Sequence, residues 1–246
     1  MPIGLVRRKD GMKSLTRRDF VGGLMASSAG AATAAEPTTP ARETVPPEKV
    51  KILGISCSYR KGKTTAAALG VCLQAAREVS DRIETELIEL ADFPFSGKVA
   101  AGIPLEPGER DDFPKLVPKL AAPAVKGIII GTPVYFGNMS SLCKAFLERC
   151  IVLWQKDFAL SNKVAGVMAV GGTRNGGQEV TIQSVQISLF CEEMTLVGNG
   201  RPGPRLGATV WSGAEGGVLK DDFGMTTTKA LGRRVAEVAL RLAGSR

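Results

Sequence analysis

Apolar residues along the chain recur with two periods, and the two alternate. Residues 50–55 form a short apolar run rich in β-branched side chains, which predicts a buried strand. A polar, glycine-containing turn follows over 56–63. Leu69, Cys72, Leu73, Ala76 and Val79 then fall at i, i+3, i+4, i+7 and i+10, the stripe of a helix packed on one side. Residues 83–90 alternate and predict a second strand. Residues 91–114 are rich in Pro and Gly and predict irregular chain, with a short helix over 116–122. A third strand is expected at 127–131, then a loop over 132–139 and a helix carrying Leu142, Phe146, Cys150 and Leu153 on one stripe. A fourth strand, 164–170, runs into a glycine-rich loop at 171–177. Over 179–193 the pattern is double. Ile182, Val185 and Leu189 suit a helix, whereas Val185, Ile187 and Leu189 alternate as in a strand. Fifteen residues is long for a strand, so a helix is expected. A fifth strand at 194–197 and a last helix carrying Leu231, Val235, Val238 and Leu242 complete the pattern.

Strands alternating with helices imply right-handed crossovers and an α/β domain with a doubly wound, five-stranded parallel sheet between two helical layers. Ligands of such sheets bind beyond the carboxyl ends of the strands. The three loops richest in Gly, Ser, Thr and Asn follow strands one, three and four, and so emerge at that same edge as one candidate site.

With 44% hydrophobic and 23% charged residues in 246, the chain has the composition of a globular domain, not of a disordered or collagen-like one. It contains no His. That excludes Ser-His and Cys-His catalysis and His-ligated zinc or haem, so nucleophiles, bases and metal ligands come from other residues or the chemistry belongs to a bound cofactor. The cysteines are Cys57, Cys72, Cys143, Cys150 and Cys191, with no C-x-x-C pair, so they read as small core residues and no metal site is expected. Cys143 and Cys150 are separated by about 10 Å of helical rise, too far for a disulfide.

Half of the formal charge of +8 lies in residues 1–34, where six basic residues outnumber two acidic ones. No later basic block is interleaved with aromatics, so nucleic acid is not an expected partner. Ser14-Leu15-Thr16-Arg17-Arg18-Asp19-Phe20 precedes an uncharged run over 20–35 that contains Ala32-Thr33-Ala34. A basic start, a short apolar stretch and a small-residue end make a signal peptide, and the Arg pair resembles the twin-arginine signal. The run is too short and too polar for a stable membrane span. The expected organisation is a twin-arginine signal peptide at 1–35, a Pro-rich linker at 36–49 and one folded domain at 50–246, exported to the periplasm.

The first loop offers Ser56, Ser58, Thr64 and Thr65 with Arg60, Lys61 and Lys63 at the start of a helix, a setting for a phosphate. Gly62-Lys63-Thr64 is not a nucleotide-hydrolase loop, because that motif needs Gly where Cys57 stands. In the second loop, Pro133 and Gly137 shape a turn whose amides can face a flat polar ring. Tyr135 and Phe136 offer it aromatic surface, with core packing the other reading of Phe136. Asn138 either meets a ligand or caps the next helix. The third loop carries four glycines in seven residues, Gly171, Gly172, Gly176 and Gly177, suited to close backbone approach.

Gly131-Thr132-Pro133-Val134-Tyr135-Phe136-Gly137-Asn138-Met139-Ser140, with Lys144 to Arg149 on the following helix, resembles the flavodoxin-like, NAD(P)H-dependent FMN reductase family, and more narrowly its iron–sulfur flavoprotein branch. Residues 55–61 resemble the family's phosphate loop, with Tyr59 where Pro is usual, and residues 171–179 its third FMN loop. The resemblance covers about residues 50–243. It implies a flavodoxin-like three-layer α/β/α fold and FMN held by Ser56, Ser58, Arg60, Lys63, Thr64, Thr65, Pro133, Val134, Tyr135, Phe136, Gly137, Asn138, Gly171, Gly172, Thr173, Gly177 and Gln178. It further implies NAD(P)H as donor, a small-molecule acceptor such as a quinone or flavin, and a homo-oligomer. Iron–sulfur members carry a cysteine cluster after strand two. Residues 92–112 contain no Cys, so no cluster is expected. Two other classes stay open: an exported electron carrier fed by a membrane quinol or a protein, and a nucleotide-binding module without redox activity.

Overall fold

The computed structural model describes residues 48–244. The expected signal peptide and nearly all of the linker lie outside the described residues. The elements in order are β1 (Val50–Ser56), α1 (Thr64–Arg77), β2 (Ile83–Glu89), α2 (Phe113–Ala121), β3 (Val125–Tyr135), β4 (Asn138–Met139), α3 (Ser141–Arg149), α4 (Ile151–Trp154), β5 (Val164–Gly171), α5 (Gln178–Phe190), β6 (Thr195–Leu196), β7 (Ala208–Trp211) and α6 (Asp222–Gly244).

The sheet runs β2-β1-β3-β5, with β6 and β7 sharing the fifth position. All pairs are parallel except β4, which folds back antiparallel on the end of β3. The split of the fifth strand is a departure from the sequence pattern. β6 pairs with Val164 and Ala165, and β7 pairs with Met168 to Gly171. Residues 197–207 leave the sheet in between and return. Buried Asn199 closes this excursion: its side chain accepts the Arg205 amide at 2.6 Å and donates to the Gly203 carbonyl at 3.2 Å.

Alternation along the strands builds two cores. Leu53, Ile55, Ile128 and Ile130 face α2 to α5 and pack with Leu116, Phe146, Leu153 and Ile182. Val50, Ile52 and Ile129 face α1 and α6 and pack with Leu69, Leu231 and Val235. Helical packing decides 178–190: Ile182, Val185 and Leu189 are buried while Ile187 stays exposed. The α1–α6 layer sits close because glycine stands at its contacts. A Cβ on Gly131 would lie 2.7 Å from Leu69, and one on Gly232 would lie 2.0 Å from the Cys72 carbonyl oxygen. Four of the five cysteines are buried, and Cys191 is exposed.

Glu192, just beyond α5, is only 8% exposed, and its Oε2 has no hydrogen-bond partner among the described residues. Burial pushes its carboxyl up to about 7. The folded protein therefore holds this proton more tightly than the unfolded chain. Its stabilising effect is full below the ordinary carboxyl value and is lost as pH rises toward the folded value. We expect the parent protein to lose about 1–3 kcal/mol relative to Glu192→Gln between about pH 5 and 8. Thermal melts of both proteins across that range check this, and parallel pH curves would contradict it.

Candidate active site at the carboxyl edge of the sheet

The loop after β1 is anchored at its root. The Cys57 amide donates to the Gly131 carbonyl at 2.8 Å, tying the loop to β3. Ser58, 2% exposed, accepts the Arg60 amide on its Oγ at 3.1 Å, which bends the chain toward α1. That hydroxyl lies 3.5 Å from the Arg60 carbonyl, a poor acceptor distance, so its proton is left for another acceptor. α1 then starts without a side-chain cap and with no acidic residue in its first turn. Ser56 Oγ and Thr65 Oγ1 are buried and have no hydrogen-bond partner among the described residues. The three cations of this loop are not equivalent. Lys61 pairs with Asp92 at 2.6 Å, and that hydrogen bond raises its pKa. Arg60 and Lys63 stay exposed at the loop surface, with Thr64 half-buried behind them. One amide of the turn is also taken, because Gly62 donates to Glu89 at 2.8 Å.

The loop after β3 is a hairpin. Phe136 and Gly137, with φ of 51° and 72°, form the two-residue turn between β3 and β4. Two successive positive φ values suit the right-handed twist of such a hairpin. Glycine adopts them freely, whereas a phenylalanine does so at a cost of about 1 kcal/mol or more. The Phe136 ring is fully exposed and Tyr135 is 47% exposed, so core packing does not account for Phe136. Pro133 is buried and Val134 half-buried beneath them. The helix cap falls to Ser140, not Asn138. Ser140 Oγ accepts the Cys143 amide at 3.1 Å and donates to the Cys57 carbonyl at 2.7 Å, locking this loop to the first. Asn138 stays exposed, its Oδ1 accepting the Met139 amide.

The third loop closes the edge. Gly177, φ 91°, lies so near the hairpin that an added Cβ would stand 3.0 Å from Gly137 Cα. Gly172 and Thr173 are exposed, and Gly171 is buried. Gln178 is buried and spent on the loop itself: its Nε2 donates to the Thr173 carbonyl at 2.6 Å and its Oε1 accepts the Gly176 amide at 2.8 Å. Gln178 therefore shapes the turn from within.

Two residues that sequence reasoning passed over, Trp211 and Asp221, hold this loop from outside, and Arg174 within the loop reaches out to them. Trp211 Nε1 donates to the Gly172 carbonyl at 2.9 Å. Arg174 lies over the rings of Trp211 and Phe223 and pairs with Asp221, 3% exposed. Asp221 also accepts the amides of Trp211 and Gly224. Asp221 stands immediately before α6 and accepts the Gly224 amide three residues on, and an Asp at such a helix start is a capping signal that could have drawn attention to this position.

The chain thus brings together the predicted residues of all three loops. An anion at the uncapped start of α1 would answer the poorly engaged Ser58 hydroxyl and the exposed Arg60 and Lys63. A flat ring between the second and third loops would cover Tyr135 and Phe136. The residues present fit FMN.

The segment between β2 and α2 is ordered by an ion pair. Buried Arg149 reaches from the end of α3 to both carboxylate oxygens of Asp111, at 3.0 and 2.7 Å, and to the Ser96 carbonyl at 3.0 Å. Its guanidinium lies 4.7 Å from the Phe113 ring centroid. Among the described residues, no group of three or more His, Cys, Asp or Glu stands where it would hold a metal ion.

Residues 50–201 match the family described as NADPH-dependent FMN reductase. An iron–sulfur flavoprotein of Methanocaldococcus jannaschii is 38% identical over 192 residues, covering 77% of this chain and 97% of the relative. Among solved structures, RosB with the bound intermediate 8-demethyl-8-formylriboflavin-5′-phosphate has a TM-score of 0.63 at 17% identity, covering 80% of this chain and 81% of that one. A flavodoxin, WrbA-like protein from Agrobacterium tumefaciens has a TM-score of 0.53 at 20% identity, covering 79% and 99%. These two likenesses show the fold, which is flavodoxin-like.

The chain belongs to the NADPH-dependent FMN reductase family, and it is a flavin-dependent oxidoreductase with FMN as its cofactor. The iron–sulfur centre in the relative's name does not fit residues 92–112, which offer no thiol and are held by Arg149 instead. Purified protein should carry no iron or acid-labile sulfide. Stoichiometric iron with a cluster absorption spectrum would contradict this.

Proposed function

We propose that the chain oxidises a reduced nicotinamide dinucleotide and delivers the electrons to a small-molecule acceptor such as a quinone or flavin. Bound FMN supplies the hydride chemistry. Ser58, Thr64, Arg60 and Lys63 hold its phosphate at the start of α1. The hairpin at Tyr135 and Phe136 and the glycines of the third loop flank its ring and keep water from one side. The second and third loops, 132–140 and 171–177, carry no carboxylate, so they orient and bind and leave bond-making to the cofactor. The observation that carries this reading is the lock between the three loops, through Ser140 to Cys57 and Gly177 against Gly137. Steady-state oxidation of NADPH in the presence of a quinone tests it, and absence of turnover with both NADPH and NADH would contradict it.

Arg17-Arg18 ahead of a short apolar run supports a second element of the proposal, export by the twin-arginine route to the periplasm. Little NAD(P)H is found there, and that favours the alternative of an electron carrier fed by a membrane quinol or a protein partner. Substituting both arginines by lysine should trap precursor inside the cell, and unchanged export would refute the route. Among the described residues no helix is long and apolar enough to cross a membrane. Exposed Ile187 and Phe190 on α5 support a homo-oligomer, which light scattering tests.

A further inference from the structure

Between the excursion at 197–207 and α6 lies a pocket of about 650 Å3, and none of its lining residues belongs to the three loops of the flavin site. On α6, Ala230, Arg234, Glu237 and Arg241 fall at i, i+4, i+7 and i+11, which makes one stripe with Arg233 on its flank. Arg201 joins them from the excursion. The excursion comes close to the helix at Gly200, where an added Cβ would stand 3.4 Å from Arg234 Cδ. Buried Asn199 fixes the loop through the Gly203 carbonyl and the Arg205 amide, so this wall is built into the fold. Four guanidinium groups therefore line one concavity against one carboxylate, that of Glu237. Glu237 lies 3.6 Å from Arg234, and the two side chains are 44% and 38% exposed. Such a pair contributes little. Arg201 and Arg233 have no hydrogen bond or ion pair from their side chains among the described residues. Like charges gathered around one carboxylate repel one another, and an anion between them relieves that cost.

We propose that this pocket binds a small oligophosphate, a soluble anion with two or more phosphates close together. Guanidinium forks match phosphate oxygens two at a time, and arginine keeps its charge at every working pH. A single phosphate would engage only part of the set, because the cations come from both walls of a pocket large enough for a drug-sized ligand. Among the lining residues only Pro204 and Ala230 have apolar side chains, and none is aromatic, so a nucleobase would find nothing to stack on. Charge therefore carries the recognition. A concave site suits a compact anion, whereas a membrane surface would call for a broad basic face. Three of the four arginines lie on α6, beyond the residues 50–201 that match the family, so the family match does not account for them. The site stands apart from the flavin and does not depend on which donor reduces it.

The test uses the FMN-loaded protein, in which the phosphate loop after β1 is already filled. Tripolyphosphate and orthophosphate are titrated by isothermal calorimetry. Tripolyphosphate should bind about 10-fold or more tightly than orthophosphate, and its affinity should fall as salt rises. It should also raise the melting temperature of the parent protein, by more than orthophosphate does at the same concentration. Arg201→Gln combined with Arg233→Gln should weaken tripolyphosphate binding about 10-fold or more. Neither side chain has a partner to lose, so the double variant should keep the parent's FMN content and its melting temperature in the absence of the anion. Equal affinities for the two anions, or tripolyphosphate binding that survives the double substitution, would overturn the assignment. Vesicles of phosphatidylglycerol in phosphatidylcholine test a lipid headgroup as the source of the phosphates. Vesicle binding that needs Arg201 and Arg233, without binding of tripolyphosphate, would also overturn it and give this face to a membrane.

Discussion

Ser58→Ala should weaken FMN binding by roughly 10- to 100-fold and leave riboflavin binding nearly unchanged. Ser58 sits where the chain turns from β1 into the start of α1, and its Oγ already accepts the Arg60 amide. Its proton has only a poor acceptor inside the loop, so it is placed to donate to a phosphate oxygen. A hydrogen bond to a charged group is worth about 1.5–3 kcal/mol, and the variant loses it. Riboflavin lacks the phosphate and has nothing to lose at this position. The apoprotein should lose only about 1 kcal/mol, the worth of the Arg60 amide contact. Flavin fluorescence titrations of both ligands with both proteins measure the effect. Equal weakening of the two would mean that this loop does not hold the phosphate.

A second large effect is expected in stability. Asp221→Ala should cost about 3–5 kcal/mol and lower the melting temperature by roughly 6–20 °C. Asp221 is buried, and three donors converge on it: Arg174 and the amides of Trp211 and Gly224. Alanine would leave a partly buried guanidinium and two amides without their acceptor. Burial alone would raise this carboxyl, but the Arg174 hydrogen bond and the two amides outweigh it, so its pKa stays below the ordinary value. The sign follows. Its stabilising effect is full above the ordinary carboxylate value and is lost as pH falls through the lowered one. Asp221→Asn, which keeps an acceptor oxygen, should lose less. The third loop hangs on this cluster through Trp211 and Arg174, so FMN affinity should also fall in the alanine variant. A melting curve indistinguishable from the parent's would show that the loop is held by other contacts.

Much of this was legible before the structure because strands and helices of a parallel α/β sheet write long, periodic apolar patterns. The stripe from Leu69 to Ala76 and the ambiguous stretch around Val185 resolve as helices with the expected faces buried, Val79 falls in the turn after α1, and the stripe from Leu142 to Leu153 is buried but divided at Cys150 between α3 and α4. The edge on which the three loops meet follows from the parallel topology. Short elements were less visible. β7 is four residues long, too few for any period, and the excursion before it divides the fifth strand. The outer support of the third loop, Arg174 with Asp221 and Trp211, joins residues up to 47 positions apart, and no local pattern signals such a contact. Gln178 shows the converse. It stands within the motif that marks the site, yet its amide is consumed in shaping the turn.

The most direct measurement is anaerobic mixing of the FMN-loaded protein with NADPH while the visible flavin absorbance is followed. NADPH should bleach the flavin rapidly and NADH more slowly, and the colour should return when a quinone is added. A flavin that dithionite bleaches but neither nicotinamide dinucleotide does would contradict the proposed function and leave the protein as an electron carrier.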